Sequence, residues 1–244
     1  MHQVTGKTDI GCKRSNNEDA FGISHIEQGL LAVVCDGMGG HHGGEIASEL
    51  AVNCFLSEVP RLLKAGEQVQ HALSGGGQVA HAAIRQRAVE NPELEKMGTT
   101  LVAVFLQGCD LYVANAGDSR CYLHNGKELK QITRDDSVIQ QMLDAGLSQA
   151  DIANSPFRNL LSNALNAMQE LVTFSFTPLR VEWGNRLLLC SDGLTNTLSF
   201  QEIDAMMGDH RLTVEQCAEQ LIAKSLAKNA ADNVTVVVIE IGGN

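Results

Sequence analysis

Short apolar segments bounded by turn residues recur along the chain and predict a protein rich in β-strands. Three pieces, Glu27-Gln28-Gly29, Gln107-Gly108 and Asn125-Gly126, have the composition of tight turns between neighbouring strands. Strands joined by such turns pair antiparallel, so a strictly parallel α/β sheet is disfavoured. The predicted strands cover residues 3–8, 19–25, 30–35, 99–106, 110–116, 119–124, 127–132, 171–177, 185–190 and 233–241.

Two long segments have helical periodicity instead. Residues 46–58 place apolar side chains on one stripe, and we expect Pro60 to limit that helix. Residues 67–90 form a second helical region, which we expect the three glycines at 75–77 to break or distort.

Two capping boxes mark further helix starts near the C-terminus. Ser199 with Glu202, and Thr213 with Gln216, each precede an apolar periodic run. Together with the strands, these helices predict an α+β fold. We expect a central sandwich of two antiparallel β-sheets, flanked by pairs of α-helices.

The segment 134–166 departs from this series. It predicts a short helix ended by Gly146 and another capped by Ser148, without strand character of its own. Such insertions often lie beside active sites, although a plain surface excursion is the alternative. The chain has no internal repeat and no obvious linker, so we expect a single domain over residues 1–244 with this insertion as a flap.

Composition narrows the possible functions. Of the 244 residues 44% are hydrophobic, which is enough for a sizeable core, and the net charge of −11 argues against nucleic-acid binding. No run approaches the ~18–20 apolar residues of a membrane span. The seven cysteines are odd in number and include no CxxC pair, which disfavours disulfides and structural zinc. We therefore expect a cytoplasmic protein that does not bind membranes.

Three aspartates lie where apolar strands meet the surface. Asp36-Gly37 and Asp192-Gly193 each follow an apolar run, and Asp232 precedes another. An Asp-Gly pair often forms a hairpin turn, but that turn requires a strand on both sides, and here a loop and a helix follow. Three carboxylates converging at a sheet edge would bind a hard cation such as Mg²⁺ or Mn²⁺.

Other candidate residues are less specific. Arg14 has a planar guanidinium whose N–H groups can pair with the oxygens of a phosphate. Glu18 and Asp19 could bind a metal directly or through water. Asp118 is either a further cation ligand or an ordinary turn residue. His41 is a candidate proton donor, although a loop histidine is most often solvated.

The glycine-rich stretch 37–44 suggests phosphate binding. It lacks the Gly-Lys-Ser/Thr ending of a P-loop, so the sequence gives little support to nucleotide triphosphate binding.

Taken together, these segments resemble the metal-dependent type 2C protein serine/threonine phosphatases, and the bacterial members especially. The shared motifs occur in the family's order and span nearly the whole chain. They are R-x-x-N-E-D at 14–19, DGMGGH at 36–41, GTTL at 98–101, AGDSR at 116–120, SDGLTN at 191–196 and ADNVT at 231–235.

The resemblance implies a centre of two or three Mn²⁺ or Mg²⁺ ions. Asp36 would bridge two metals, and the carbonyl of Gly37 would bind the first. Asp192 and Asp232 would complete the second, and Glu18 would act through metal-bound water.

The resemblance also implies roles around this centre. Asp118, with Asp192, would hold a third and weaker metal, although Asn196 stands where many relatives have Asp. Arg14 would bind the substrate phosphate, and His41 would act as general acid. The segment 134–166 would be the flap that touches a protein substrate.

The implied activity is hydrolysis of phosphoserine and phosphothreonine in proteins by direct attack of a hydroxide held between two metals. The expected partners are phosphorylated proteins and a cognate Ser/Thr kinase, and we expect a monomer. Two alternatives remain. One is a metal-dependent hydrolase of small phosphate esters, and the other is a non-catalytic phosphoprotein-binding domain of the same fold.

Overall fold

The computed structural model describes residues 1–39, 43–148, 152, 157 and 160–243, and its strands form two antiparallel sheets. The strands are β1 Gln3–Asp9, β2 Asp19–Ile26, β3 Gly29–Met38, β4 Gly98–Thr99, β5 Leu101–Gln107, β6 Asp110–Ala116, β7 Arg120–His124, β8 Leu129–Gln131, β9 Leu165–Asn166, β10 Ser175–Arg180, β11 Arg186–Cys190 and β12 Val234–Glu240. The helices are α1 Gly43–Lys64, α2 Val69–Glu90, α3 Val138–Asp144, α4 Asp192–Thr195, α5 Phe200–Met207 and α6 Val214–Ala227.

The strand order brings distant parts of the chain together. One sheet has the order β1-β12-β11-β7-β8, and the other has the order β10-β6-β5-β3-β4-β9, with β2 also paired to β3. The register of β2 against β3 sets Asp19 opposite Asp36. In the other sheet β11 and β12 are neighbours, and Cys190 lies opposite Val236. The segments on either side of Asp192 and Asp232 are therefore adjacent in space.

Three apolar layers hold the two sheets and their helices together. On β3, Leu31 and Val33 face α1 and α2, whereas Ala32 and Val34 face the opposite sheet. The outer face of the five-stranded sheet packs against α5 and α6. Because both faces of the central strands are covered, their sequences read as nearly continuous apolar runs rather than alternating ones.

The first helix does not stop before Pro60, contrary to the sequence prediction. α1 runs on to Lys64 with Pro60 inside it. A proline in a helix interior costs about 3 kcal/mol, because it removes a backbone hydrogen bond and crowds the preceding turn. Leu62 and Leu63 beyond it pack against the core layer, and this burial offsets the cost.

The predicted break at the three glycines is also wrong. α2 is continuous from Val69 to Glu90. A side chain at Gly76 would overlap Val59 of α1, and one at Gly77 would overlap the ring of Phe174. The glycines therefore allow close packing of α2 against its neighbours, and that packing offsets their poor helix propensity.

Other predicted boundaries can be compared directly. Both capping boxes are confirmed, at the starts of α5 and α6. The strand predicted at 171–177 instead occupies Ser175–Arg180, where an edge position tolerates Pro178. The segment 134–166 contains α3 and also the short strand β9, which was not expected. Most of the predicted helix after Ser148 lies outside the described residues.

No helix in the described part of the chain combines the length and the apolar character needed to cross a bilayer.

Candidate active site

Seven of the eight predicted site residues line one cavity of about 270 Å³. The eighth, His41, lies outside the described residues. The cavity opens at the end of the sandwich where β3, β11 and the approach to β12 meet. The seven are Arg14, Glu18, Asp36, Gly37, Asp118, Asp192 and Asp232.

Backbone hydrogen bonds fix the position of Asp36. Its N–H donates to the hydroxyl of Thr100 at 2.9 Å, and its carbonyl accepts from the hydroxyl of Thr99 at 2.9 Å. The Thr100 hydroxyl also contacts that of Ser119 at 2.6 Å. The two threonines of the 98–101 motif therefore hold the end of β3 in place, which leaves the Asp36 carboxylate free for the cavity.

Asn233 holds the loop that carries Arg14 and Glu18. Its side-chain oxygen accepts from the Glu18 N–H at 2.8 Å. Its amide donates to the carbonyls of Ile10 at 2.9 Å and Asn16 at 3.0 Å. Asn233 is only 4% exposed, so these three bonds are shielded from water. The loop is thus tied to the start of β12, beside Asp232.

Two glycines allow the site's segments to approach each other closely. A side chain at Gly37 would overlap the carbonyl oxygens of Gly44 and Glu18. A side chain at Gly193 would overlap the carbonyl oxygen of Asn233. Glycine after each aspartate is therefore a packing requirement, which explains the two Asp-Gly pairs without a hairpin turn.

Arg14 is the cation of the cavity wall. Its Nη2 donates to Asp232 Oδ2 at 2.7 Å, and its Nη1 lies 3.9 Å from Glu18 Oε2. The hydrogen bond to Asp232 raises the pKa of Arg14. Because 48% of the Arg14 side chain is exposed, the guanidinium can also reach a ligand in the cavity.

The carboxylates repel one another strongly. Burial raises the pKa of Asp36 well above its usual range, and repulsion from Asp19, Asp192 and other aspartates adds to this. Burial also raises the pKa of Asp192, with Asp232 as the next cause, while contact with Asp36 and Asn196 opposes the rise. Two carboxyl groups in contact need a shared proton or a cation between them.

Two further aspartates extend this acidic cluster. Burial raises the pKa of Asp118 to about 7, with repulsion from Asp192 as the next cause. Burial also raises the pKa of Asp19 to about 7, although the Ser191 hydroxyl donates to it at 2.7 Å. The cluster therefore carries more negative charge than Arg14 can balance.

The donor set suits a hard divalent cation. Carboxylate oxygens and a backbone carbonyl are the ligands that Mg²⁺ and Mn²⁺ prefer, and buried, mutually repelling carboxylates need a counter-charge. Within the described ranges, no three His, Cys, Asp or Glu side chains are already arranged to hold an ion. The fit accordingly rests on donor chemistry and charge.

The start of the segment 134–166 is anchored next to the cavity. Arg120 forms a bidentate pair with Asp135, with contacts of 2.9 Å and 2.6 Å. Asp136 accepts from the Gly117 N–H at 3.2 Å and from the Asn163 amide at 2.8 Å. Leu161, from the same segment, lines the cavity.

Sequence reasoning missed some residues that build the site. Asn233 and Thr100 lie next to strand ends but carry no charge, so their residue type alone gives little signal of a role in the site. The quoted motifs GTTL and ADNVT contain them, but their hydrogen bonds become visible only in the fold. Asp19 pairs with Ser191 and does not line the 270 Å³ cavity.

Comparison with known sequences identifies the family. The profile of protein phosphatase 2C matches residues 11–230. The chain belongs to the protein phosphatase 2C family. This family is metal-dependent, which agrees with an oxygen-only donor set.

Curated members of the protein phosphatase 2C family are similar along the whole chain. The serine/threonine phosphatase stp of Listeria monocytogenes is 35% identical over 239 residues, covering 96% of this chain and 94% of that protein. The serine/threonine protein phosphatase PstP of Mycobacterium tuberculosis is 36% identical over 244 residues. That match covers 98% of this chain and 45% of PstP.

Solved structures confirm the predicted sandwich. The crystal structure of Mycobacterium tuberculosis PstP/Ppp has a TM-score of 0.87 at 33% identity, covering 99% of each chain. Stp1 from Staphylococcus aureus has a TM-score of 0.89 at 30% identity, covering 100% of this chain and 96% of the other. A PstP catalytic domain in complex with two manganese ions has a TM-score of 0.83 at 32% identity, covering 99% of each chain.

Proposed function

We propose that this chain is a metal-dependent phosphatase that removes phosphate from phosphoserine and phosphothreonine in proteins. One observation carries the proposal. Oxygen donors from five separate parts of a protein phosphatase 2C chain surround a single cavity of about 270 Å³, with one arginine on its wall. The relatives are named serine/threonine phosphatases, which supports phosphorylated proteins as the substrates. We further propose that a cytoplasmic Ser/Thr kinase phosphorylates these substrates.

The carboxylates would hold Mn²⁺ or Mg²⁺. Asp36 would bridge two ions, with the carbonyl of Gly37 on one, and Asp192 and Asp232 on the other. Glu18 would bind through water. Burial raises the pKa of Glu18, as it does for Asp36 and Asp192, and a nearby cation would favour its charged form. Asp118 together with Asp192 would hold a third, weaker ion.

When bound, the cations would lower the pKa of the attacking water and offset charge on the phosphoryl oxygens. Side chains of the protein would bind the phosphate, exclude water and donate a proton. The guanidinium of Arg14 would donate to two phosphoryl oxygens, and its hydrogen bond to Asp232 orients the guanidinium plane. Leu161 would exclude water from one side of the cavity. His41, in the 36–41 motif, is the proposed donor of a proton to the leaving alkoxide.

The test uses purified protein with added Mn²⁺, a phosphothreonine peptide and p-nitrophenyl phosphate. We expect turnover of both substrates and its loss in Asp36→Asn by at least about a hundredfold, since removing even an outer partner of a metal ligand costs ~10–100-fold. Asp110→Asn is the matched control, because Asp110 is exposed at the first position of β6. Absence of turnover with Mn²⁺, or undiminished turnover in Asp36→Asn, would contradict the proposal. Much faster hydrolysis of free nucleotides than of phosphoproteins would favour a small-molecule substrate.

A further inference from the structure

A second cavity, of about 260 Å³, adjoins the active site. Its lining includes Asn196, Thr197, Lys228 and Asn229, and it shares Asp232 with the active-site cavity. A group bound in this side cavity would therefore lie next to a phosphoryl group bound near Arg14. We call it the side cavity below.

Two local structures form the walls of the side cavity. One wall is α4, in which Gly193 packs directly onto the carbonyl of Asn233. The other is the turn that ends α6, where Asn229 adopts a left-handed φ of 58° and the Ala230 N–H donates to the Ser225 carbonyl at 3.1 Å. This turn directs the chain back towards the active site and sets Lys228 at the cavity edge.

The lysines at one edge of the side cavity favour an anionic ligand there. The shared carboxylate of Asp232 accepts a hydrogen bond from Arg14 at 2.7 Å. Lys228 Nζ contacts Glu202 at 2.6 Å, but Lys224 contacts the same carboxylate at 3.3 Å. Two lysines therefore share one carboxylate, which leaves an excess positive charge at the edge of the cavity that Lys228 forms. In a chain of net charge −11 such an excess of lysines over carboxylates is unusual.

Lys228 also has the means to bind a ligand. An ammonium group has three N–H donors, and the hydrogen bond to Glu202 uses one of them. The side chain is 44% exposed, so the ammonium is accessible from solvent. Asn196 and Thr197 add polar groups to the same wall, and the Asn196 amide is already oriented by its bond to Asp192 Oδ2 at 3.0 Å.

We propose that the side cavity binds an acidic side chain of the substrate, close in sequence to the phosphorylated residue, with Lys228 as the cation that binds its carboxylate. This inference rests on the proposed phosphatase function and adds a substrate preference to it. One residue of extended chain spans about 3.3–3.6 Å, so a carboxylate one to three residues from the phosphate can reach a neighbouring cavity.

The experiment measures kcat/KM on sets of phosphothreonine peptides with the Mn²⁺-loaded enzyme. Within a set the peptides differ only by Glu, Gln or Lys at one of the three positions on either side of the phosphothreonine. At one or more of these positions we expect Glu to exceed Gln by about two- to fivefold, the range for a partly exposed ion pair, mainly through KM. The advantage should shrink at high salt.

Variants distinguish a ligand-binding Lys228 from one that only pairs with Glu202. Lys228→Gln should bring the Glu-to-Gln ratio close to one, Lys228→Glu should reverse it in favour of the Lys peptide, and Lys228→Arg should keep it. Glu202→Gln breaks the same ion pair but frees Lys228, and the side-chain oxygen of Gln can still accept from the Ser199 N–H in the capping box. The ratio should then be kept or increased. Lys127→Gln, at an exposed turn, is the remote control.

The outcomes are separable from a failure of the phosphatase proposal. If the wild-type enzyme hydrolyses all peptides equally well, or if its preference survives Lys228→Gln, the inference is wrong although the enzyme is a phosphatase. Loss of the preference in Glu202→Gln as well would show that the ion pair acts structurally, and would also overturn it. If no peptide and no p-nitrophenyl phosphate is hydrolysed, the proposed function itself fails.

Discussion

At the scale of single residues, the charged side chains of the site can be predicted from the sequence, whereas the residues that hold them in place cannot. The aspartates at 36, 192 and 232 could be selected because each stands at the end of an apolar run. Asn233 gives no comparable signal, yet it ties three backbone groups of the loop before β2 to the start of β12. Its role depends on which segments the fold brings together, and the pattern along the chain does not contain that information.

The prediction at this scale concerns Asn233→Ala. The change leaves buried backbone groups of Ile10, Asn16 and Glu18 without partners, so we expect the free energy of unfolding to fall by about 1–3 kcal/mol. We also expect a higher KM for phosphopeptides, because the loop that carries Arg14 loosens. Urea unfolding and steady-state kinetics measure the two effects.

The matched control for Asn233→Ala is Asn53→Ala, on the exposed face of α1. There alanine should be neutral or slightly stabilising, because it has the better helix propensity. Equal effects of the two substitutions on stability and KM would contradict the role assigned to Asn233.

At the scale of elements, strands were predicted better than helix limits. The central strands of both sheets are covered on both faces, so their apolar runs stand out in the sequence. The limits of α1 and the continuity of α2 depend on tertiary packing of Leu62, Gly76 and Gly77, which outweighs local propensity. The segment 134–166 was recognised as distinct, but its short strand β9 has only two residues and no periodicity to detect.

The element-scale prediction is Gly77→Ala. Helix propensity alone would make this change stabilising by up to about 1 kcal/mol. The new methyl group overlaps the ring of Phe174, however, and overpacking costs about 1–3 kcal/mol. We expect net destabilisation in urea unfolding, and partial recovery when Phe174→Leu is added. Stabilisation by Gly77→Ala alone would show that the glycines are not there for packing.

At the scale of the whole molecule, the active site trades stability for function. The two sheets and the loop before β2 hold at least four carboxylates around one end of the sandwich. Burial, followed by mutual repulsion, raises the pKa values of Asp36 and Asp118. The sequence could predict that these groups converge, because the motifs occur in the family's order. It could not predict the cost of that convergence, which depends on burial and on distances between strands.

This cost has a definite dependence on pH in metal-free protein. The pKa of Asp19 and Asp118 is raised to about 7, against about 4 in an unfolded chain. A group with a raised pKa gives its full stabilisation below the unfolded value and loses it as pH rises through the folded value. With metal removed by chelator, the free energy of unfolding should therefore fall as pH rises from about 4 to about 7, and it should level off above that. His81 and His124, whose pKa is lowered chiefly by burial, act in the opposite direction below about pH 6.5, because their protonation favours the unfolded chain.

The Asp36→Asn variant and the wild type should exchange their order of stability when Mn²⁺ is added. Without metal the variant should be more stable than the wild type at pH 8, because one buried negative charge is gone and the amide keeps the shape. With Mn²⁺ at a hundred times its dissociation constant, the wild type should gain about 2.7 kcal/mol, since the ion binds the folded state alone. The variant should gain little, so the order of stabilities reverses.

Thermal unfolding in chelator and in Mn²⁺ measures this reversal. The control is Asp110→Asn, which should behave like the wild type. If Mn²⁺ stabilises Asp36→Asn as much as the wild type, Asp36 is not a metal ligand, whatever its effect on activity.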